Sequence, residues 1–287
     1  MRHSRKRPSR SLRRFHGTGT RRAAGNPALS VISQISGTES NGNQRYDSLQ
    51  ASARRRFSKG FEYLVSYTYS KGLSDAIGYY GEGGQAASQS AYFQNLYDRK
   101  AEWGPTYFDA THMLSFVYNY EFPWGRGKKW GANWSPVVNG ILGGWQMGGI
   151  LSLRSGFPLT IQATDRSGTL SRGPRANRVG DGEGPKEVGK GTTWLDKSAF
   201  KETSSGTLGN SGVGVVRGPG WKTFDLSLLK NFNVTESKII QFRAEMFNIT
   251  NTPQFGSPNR NASSVTFGEI TSAQGERNIQ FALRFMF

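Results

Sequence analysis

From Phe61 the chain reads FEYLVSYTYSK, with Phe61, Tyr63, Val65, Tyr67 and Tyr69 on one face and Glu62, Leu64, Ser66, Thr68 and Ser70 on the other. A period of two is the signature of an extended strand, because successive side chains leave opposite faces of the pleat. HMLSFVYNYEF at 112–122 repeats the pattern, setting Leu114, Phe116, Tyr118, Tyr120 and Phe122 against Met113, Ser115, Val117, Asn119 and Glu121. The chain ends on RNIQFALRFMF, where Ile279, Phe281, Leu283, Phe285 and Phe287 oppose Asn278, Gln280, Ala282, Arg284 and Met286. Weaker alternation of similar length marks 46–57, 144–154, 222–232 and 238–249, so seven strands are predicted.

The connections run 58–60, 72–111, 123–143, 155–221, 233–237 and 250–276, and short and long strictly alternate. All the long loops therefore fall at one end of an antiparallel sheet, the layout of outer-membrane barrels, whose spanning strands need only about 9–11 residues. A soluble β-sandwich alternates equally well. Three features weigh against it: strands longer than the usual five or six residues, aromatics gathered near strand ends as in interfacial girdles, and opposite faces that carry charge. The charged positions Glu62, Asp225, Arg243, Glu245 and Arg284 suit a wet lumen better than a packed second sheet. The expected fold class is all-β, an antiparallel transmembrane barrel segment with long extracellular loops. With the C-terminus in the periplasm, the strand at 46–57 runs inward, so an outward strand is expected before it.

Composition narrows the chemistry. Of 287 residues none is Cys and three are His, which excludes disulfide scaffolds, Cys-based zinc sites and Cys nucleophiles and leaves little for a His-based site. No residue is expected to be catalytic, and no cofactor or metal is expected. No apolar run approaches the roughly 18 residues of a spanning helix. Net charge is +17, but residues 1–38 hold nine basic side chains and no acid, and +8 remains for the rest. The stretch MRHSRKRPSRSLRRFHGTGTRR is read as a spurious or disordered segment, 1–31, ahead of a barrel region, 32–287. A nucleic-acid or anionic-lipid arm and an organellar transit peptide are the alternatives for it. Arg54, Arg55 and Arg56 are read as a solvated cluster at the short-turn rim. WGRGKKW, 124–130, is read as a turn flanked by interfacial Trp.

Phosphate-loop and dinucleotide patterns fail. Gly127 and Lys128 precede Lys129 rather than Ser or Thr, and Gly212 and Gly214 precede Arg217 where a third Gly is needed. The acids Glu82, Asp98, Glu102 and Asp109 are expected as solvated charge in the first long loop. Arg166, Arg172, Arg175 and Arg178 are expected as mobile external positives.

Several long segments, in order, resemble one family: YDSLQASARRRFSKGFEYLVSYTYSKGLSD (46–75), GGWQMGGILSLRSGFPLT (143–160), the run from GNSGVGVVRGPGWKTFDLSLLKNF to FNITNTPQFGSP (209–258), and FALRFMF (281–287). They resemble the C-terminal barrel region of Oar-like TonB-dependent outer-membrane receptors, over about Ile32 to Phe287. The resemblance implies a barrel of about 22 strands with a plug inside, and uptake of an unidentified ligand. It also implies partners: outer-membrane lipid, the barrel assembly machinery, and TonB through an N-terminal box. Phe281, Leu283, Phe285 and Phe287 look like the assembly signal. The sequence carries neither plug nor TonB box, so the chain is expected to be a C-terminal third that needs a missing N-terminal plug and barrel half. A stand-alone structural or adhesive barrel is the alternative, and a basic nucleic-acid-binding protein stands behind it.

Overall fold

A computed structural model describes residues 42–76, 93–171, 173–235 and 237–287. Seven long strands dominate it: β1 (Gln44–Ser58), β2 (Phe61–Ser74), β3 (His112–Glu121), β4 (Trp145–Arg154), β5 (Trp221–Asn233), β6 (Ile239–Phe247) and β7 (Asn278–Met286). Each falls on one of the seven alternating segments. They pair in sequence order, β1-β2-β3-β4-β5-β6-β7, and every pairing is antiparallel. β1 and β7 are the edges. Both are exposed on both faces along almost their whole length. An odd number of antiparallel strands leaves β1 and β7 pointing the same way, so the described sheet is an open segment of a barrel wall.

Register follows the two-residue period. Tyr63 stands opposite Tyr118 and Val65 opposite Phe116. Phe116 in turn faces Leu151, and on the far side Phe242 faces Leu283. A slip of one residue would turn every such side chain to the other face. The β1-β2 turn is fixed by Lys59 and Gly60, whose φ values of 54° and 80° both lie in the left-handed region. Two-residue hairpins with positive φ at both positions match the right-handed twist of the strands they join.

The apolar packing lies in an unusual place. Leu159, Ile161, Ala163, Ala176, Leu195, Ala199, Phe200, Val216 and Phe267 form the buried cluster, and none belongs to the seven long strands. The apolar strand face stays open: Leu49 is 65% exposed, Phe281 71% and Leu283 74%. A sandwich would bury those side chains against a second sheet. At about 25 cal/mol per Å2, leaving them in water is expensive, so this face needs an apolar solvent. The buried cluster sits instead at the long-loop end, where Pro158–Leu159 pairs with Val216–Arg217 and Asn177–Arg178 with Phe200–Lys201. The long connections thus fold together as a cap with its own dry interior.

At the short-turn end the connection 123–143 holds a helix beyond the WGRGKKW turn, α1 (Pro136–Leu142). The Ser135 hydroxyl accepts from the Val138 N–H, and Pro136 occupies the first turn, where its missing N–H costs nothing. No helix is long and apolar enough to cross a membrane.

Candidate functional site

The wall has two chemically distinct faces. The apolar one runs from β2 to β7 and is knit by rings: Phe61 meets Tyr120 edge-on at 5.9 Å, Trp145 meets Phe242 at 6.0 Å, and Phe242 stacks on Phe281 at 6.2 Å. Gly149 stands opposite Tyr118, and a Cβ there would lie 2.5 Å from the Tyr118 ring, so the glycine is the bed on which that ring lies flat. Phe281, Leu283 and Phe285 belong to this face, opposite Ala244, Phe242 and Ile240. Phe287 continues it, 5.8 Å from the Phe285 ring and 94% exposed.

Every charged position expected in the lumen lies on the other face. One cross-strand row reads Glu62, Asn119, Gly148, Ser227, Glu245, Gln280. The Gln280 amide donates to Glu245, and Arg243 approaches the same carboxylate at 3.5 Å. The row nearer the short turns holds Glu121, Gln146, Leu229, Arg243 and Ala282, with the Gln146 amide donating to Glu121 at 3.2 Å. Arg284 stands opposite Gln241, whose amide donates to Asn231 at 3.0 Å. Asp225 lies toward the other end and accepts from the Asn248 N–H at 2.7 Å. Polar side chains therefore bond laterally across the wall, strand to strand.

In the loop cap the structure corrects the expectation of solvated charge. Glu102 and Arg175 form an ion pair of 3.2 Å whose side chains are 1% and 4% exposed. Gln94 completes this knot: its N–H donates to Glu102 at 3.1 Å, its Oε1 accepts from the Arg175 N–H at 2.8 Å, and its amide donates to Gly209 O at 2.8 Å. Two long loops meet there. Asp109, equally enclosed, takes a 2.6 Å contact from Arg217 and accepts the Gly72 N–H at 2.7 Å, tying the cap to the end of β2. Arg166 pairs with Glu202, and Arg178 donates to Gly180 O and Asp181 O. These arginines are fastened rather than mobile. For Arg175 and Arg166 the reason is tertiary, because Glu102 and Glu202 lie on remote segments, whereas Arg178 is held by carbonyls two and three residues on. Asp98 stays at the surface, accepting from Ala101 N. Glu82, Arg172 and the basic segment 1–31 lie outside the described residues.

Burial sets the ionisation of the cap. It pushes the Glu102 carboxyl above its ordinary value despite Arg175, and it pulls the Arg175 guanidinium down despite Glu102. Burial draws Arg260 down to about 10. For Asp75 burial acts upward, but the Asn43 N–H at 2.6 Å, its amide at 2.9 Å and Arg99 at 3.0 Å outweigh it and hold the carboxyl low.

A model of the outer membrane beta barrel domain matches residues 8–280. The chain belongs to this family. No curated protein matches it. An outer-membrane barrel is located in the outer membrane, so the apolar face is the lipid-facing belt, the polar face looks into the barrel, and the short turns lie in the periplasm. The match begins inside the basic N-terminal segment.

One buried cation of the barrel's belt had not been singled out by alternation alone. Lys230 falls on the lipid-facing side between Trp145 and Phe232, with its nitrogen 5.3 and 5.0 Å from their ring centroids. It is 1% exposed, and the nitrogen donates to Gly143 O and, at 3.2 Å, to Ile141 O. Trp145 donates its indole N–H to the same Ile141 carbonyl at 3.0 Å. The stem thus runs through the belt and the charge ends on the last carbonyls of α1, the favoured end of a helix for a cation. At the same rim Arg54, Arg55 and Arg56 are exposed, with Arg55 over the Phe61 ring at 5.8 Å. Trp124 and Trp130 bridge one another across the WGRGKKW turn.

No three His, Cys, Asp or Glu side chains come together among the described residues. His112 is engaged by Tyr67, whose hydroxyl lies 2.8 Å from its Nδ1, and by the Tyr69 ring at 5.2 Å.

Proposed function

We propose that this chain forms the C-terminal wall and the loop cap of an Oar-like TonB-dependent outer-membrane receptor, and that the parent protein binds and takes up a ligand. The observation that carries this reading is the open seven-stranded wall with two unpaired edges, polar inside and capped by packed external loops. A wall of this kind in lipid leaves a row of backbone groups unsatisfied at each edge, each costing several kcal/mol. The reading assigns those edges to further barrel strands, and it assigns the interior to a plug. Glu62, Asp225, Arg243, Glu245 and Arg284 then line the path of the ligand, and Phe281, Leu283, Phe285 and Phe287 form the strand that the assembly machinery engages.

The testing experiment is sequencing upstream of Met1 with translation in all three frames. A plug and a TonB box in any frame support the receptor. Their absence, together with heat-modifiable gel mobility of the isolated chain, would replace it with a stand-alone structural or adhesive barrel. That second reading draws on the family match, which runs over residues 8–280 of this one chain.

A further inference from the structure

Arg154, the last residue of β4, points to the barrel interior just beneath the loop cap, in the row Thr68, Met113, Arg154, Trp221. Its guanidinium lies 4.0 Å from the Phe157 ring centroid and 5.8 Å from that of Trp221. Its Nε is buried with no hydrogen-bond partner. Among the described residues no carboxylate forms an ion pair with it, whereas Arg175, Arg217, Arg166, Arg99 and Arg243 each have one. The next row toward the periplasm consists of hydroxyls alone, Ser52, Ser66, Ser115, Ser152 and Thr223. The nearest acid on this face of β5, Asp225, is already occupied by the Asn248 N–H.

A half-buried cation without a counter-charge is costly; Arg175 is neutralised by Glu102, whereas Arg154, like Arg260 on the Thr160 carbonyl, has no carboxylate beside it. Aromatic rings hold the guanidinium plane by cation–π attraction while leaving its terminal nitrogens free, and a held fork loses less entropy when it closes on an oxyanion. Neutral hydroxyls below it supply donors without repelling an anion. We propose that this position is an anion-recognition subsite, in which Arg154 binds the carboxylate or phosphate of a small solute while Trp221 and the hydroxyl row contact its neutral part. The inference rests on the receptor reading, since it names the chemistry of the ligand's path.

The test uses the full chain folded in detergent micelles, with the far-ultraviolet circular dichroism of the β-sheet, which an open wall gives as well as a closed barrel, as the check on folding. Binding of glucose 6-phosphate, gluconate and glucose is then followed by calorimetry. The expected result is binding of one or both anions, none of glucose, and at least tenfold weaker binding in Arg154→Gln with partial recovery in Arg154→Lys. Lys197→Gln, on the exposed surface of the cap, should bind as the unaltered chain does. A folded chain that binds neither anion, or an Arg154→Gln variant that binds equally well, overturns the proposal and leaves the barrel intact. A chain that shows no β-sheet signal removes the wall on which both readings stand.

Discussion

Single side chains decide whether the loop cap holds. Arg175→Met would leave Glu102 enclosed without its counter-ion, and breaking a buried pair from one side costs about 3–5 kcal/mol. The expected outcome is faster hydrogen exchange at the Gln94 and Ala176 amides, both of which report on this knot. Adding Glu102→Gln should recover part of the loss. The two perturbed carboxyls also predict opposite responses to pH. Asp75 is held low, so its contribution is present above its unfolded value near about 3.9 and is lost as pH falls through the folded value. Glu102 is pushed up, so its contribution is full below its unfolded value near about 4.3 and declines as pH rises through the folded value. Exchange at the Asn43 amide, corrected for intrinsic rate, should therefore quicken on acidification, whereas that at Gln94 should quicken on going from acid to neutral pH.

At the scale of elements, α1 and the belt are coupled through Lys230 and Trp145. A seven-residue helix is too short to be stable alone, so its place depends on the cation and the indole that take its terminal carbonyls. Lys230→Met keeps the apolar stem and removes the charge, and hydrogen bonds from charged groups are worth about 1.5–3 kcal/mol. Loss of exchange protection at the Gly143 amide, which donates to Asn139 O, would measure that cost. Alternation placed all seven strands within three residues of their observed ends, because one face of each meets a uniform apolar environment. It placed α1 nowhere: PVVNGIL has no two-residue period and is too short for a helical one to stand out.

For the molecule as a whole, the two faces should respond in opposite ways to one charge. Phe281→Arg puts a cation on the lipid side of the middle of β7 and should lower stability by about 2–4 kcal/mol in lipid bilayers, whereas Gln280→Arg, one residue away on the interior face, should be close to neutral. Denaturant titration of the chain folded in vesicles gives both values. Deleting Phe287 should reduce the yield of membrane-inserted chain, since the last strand would lose the residue that ends its aromatic row. Undisturbed folding would remove Phe287 from the assembly signal.

The sequence by itself determined the strands, their faces and the alternation of short and long connections, because each is a local property of a chain whose side chains must point either to lipid or to water. It also brought Glu62, Asp225, Arg243, Glu245 and Arg284 to one face, since parity along paired strands needs no further information. Only the tertiary structure decided that Glu102, Asp109 and Arg175 are buried partners rather than solvated charges, that Lys230 reaches α1, and that Arg154 stands between two rings without a carboxylate. Glu102 and Arg175 are 73 residues apart and Asp109 and Arg217 108. Nothing in the local pattern of a charged residue says which distant loop will exclude its water, and that exclusion is what turns a surface charge into a structural pair.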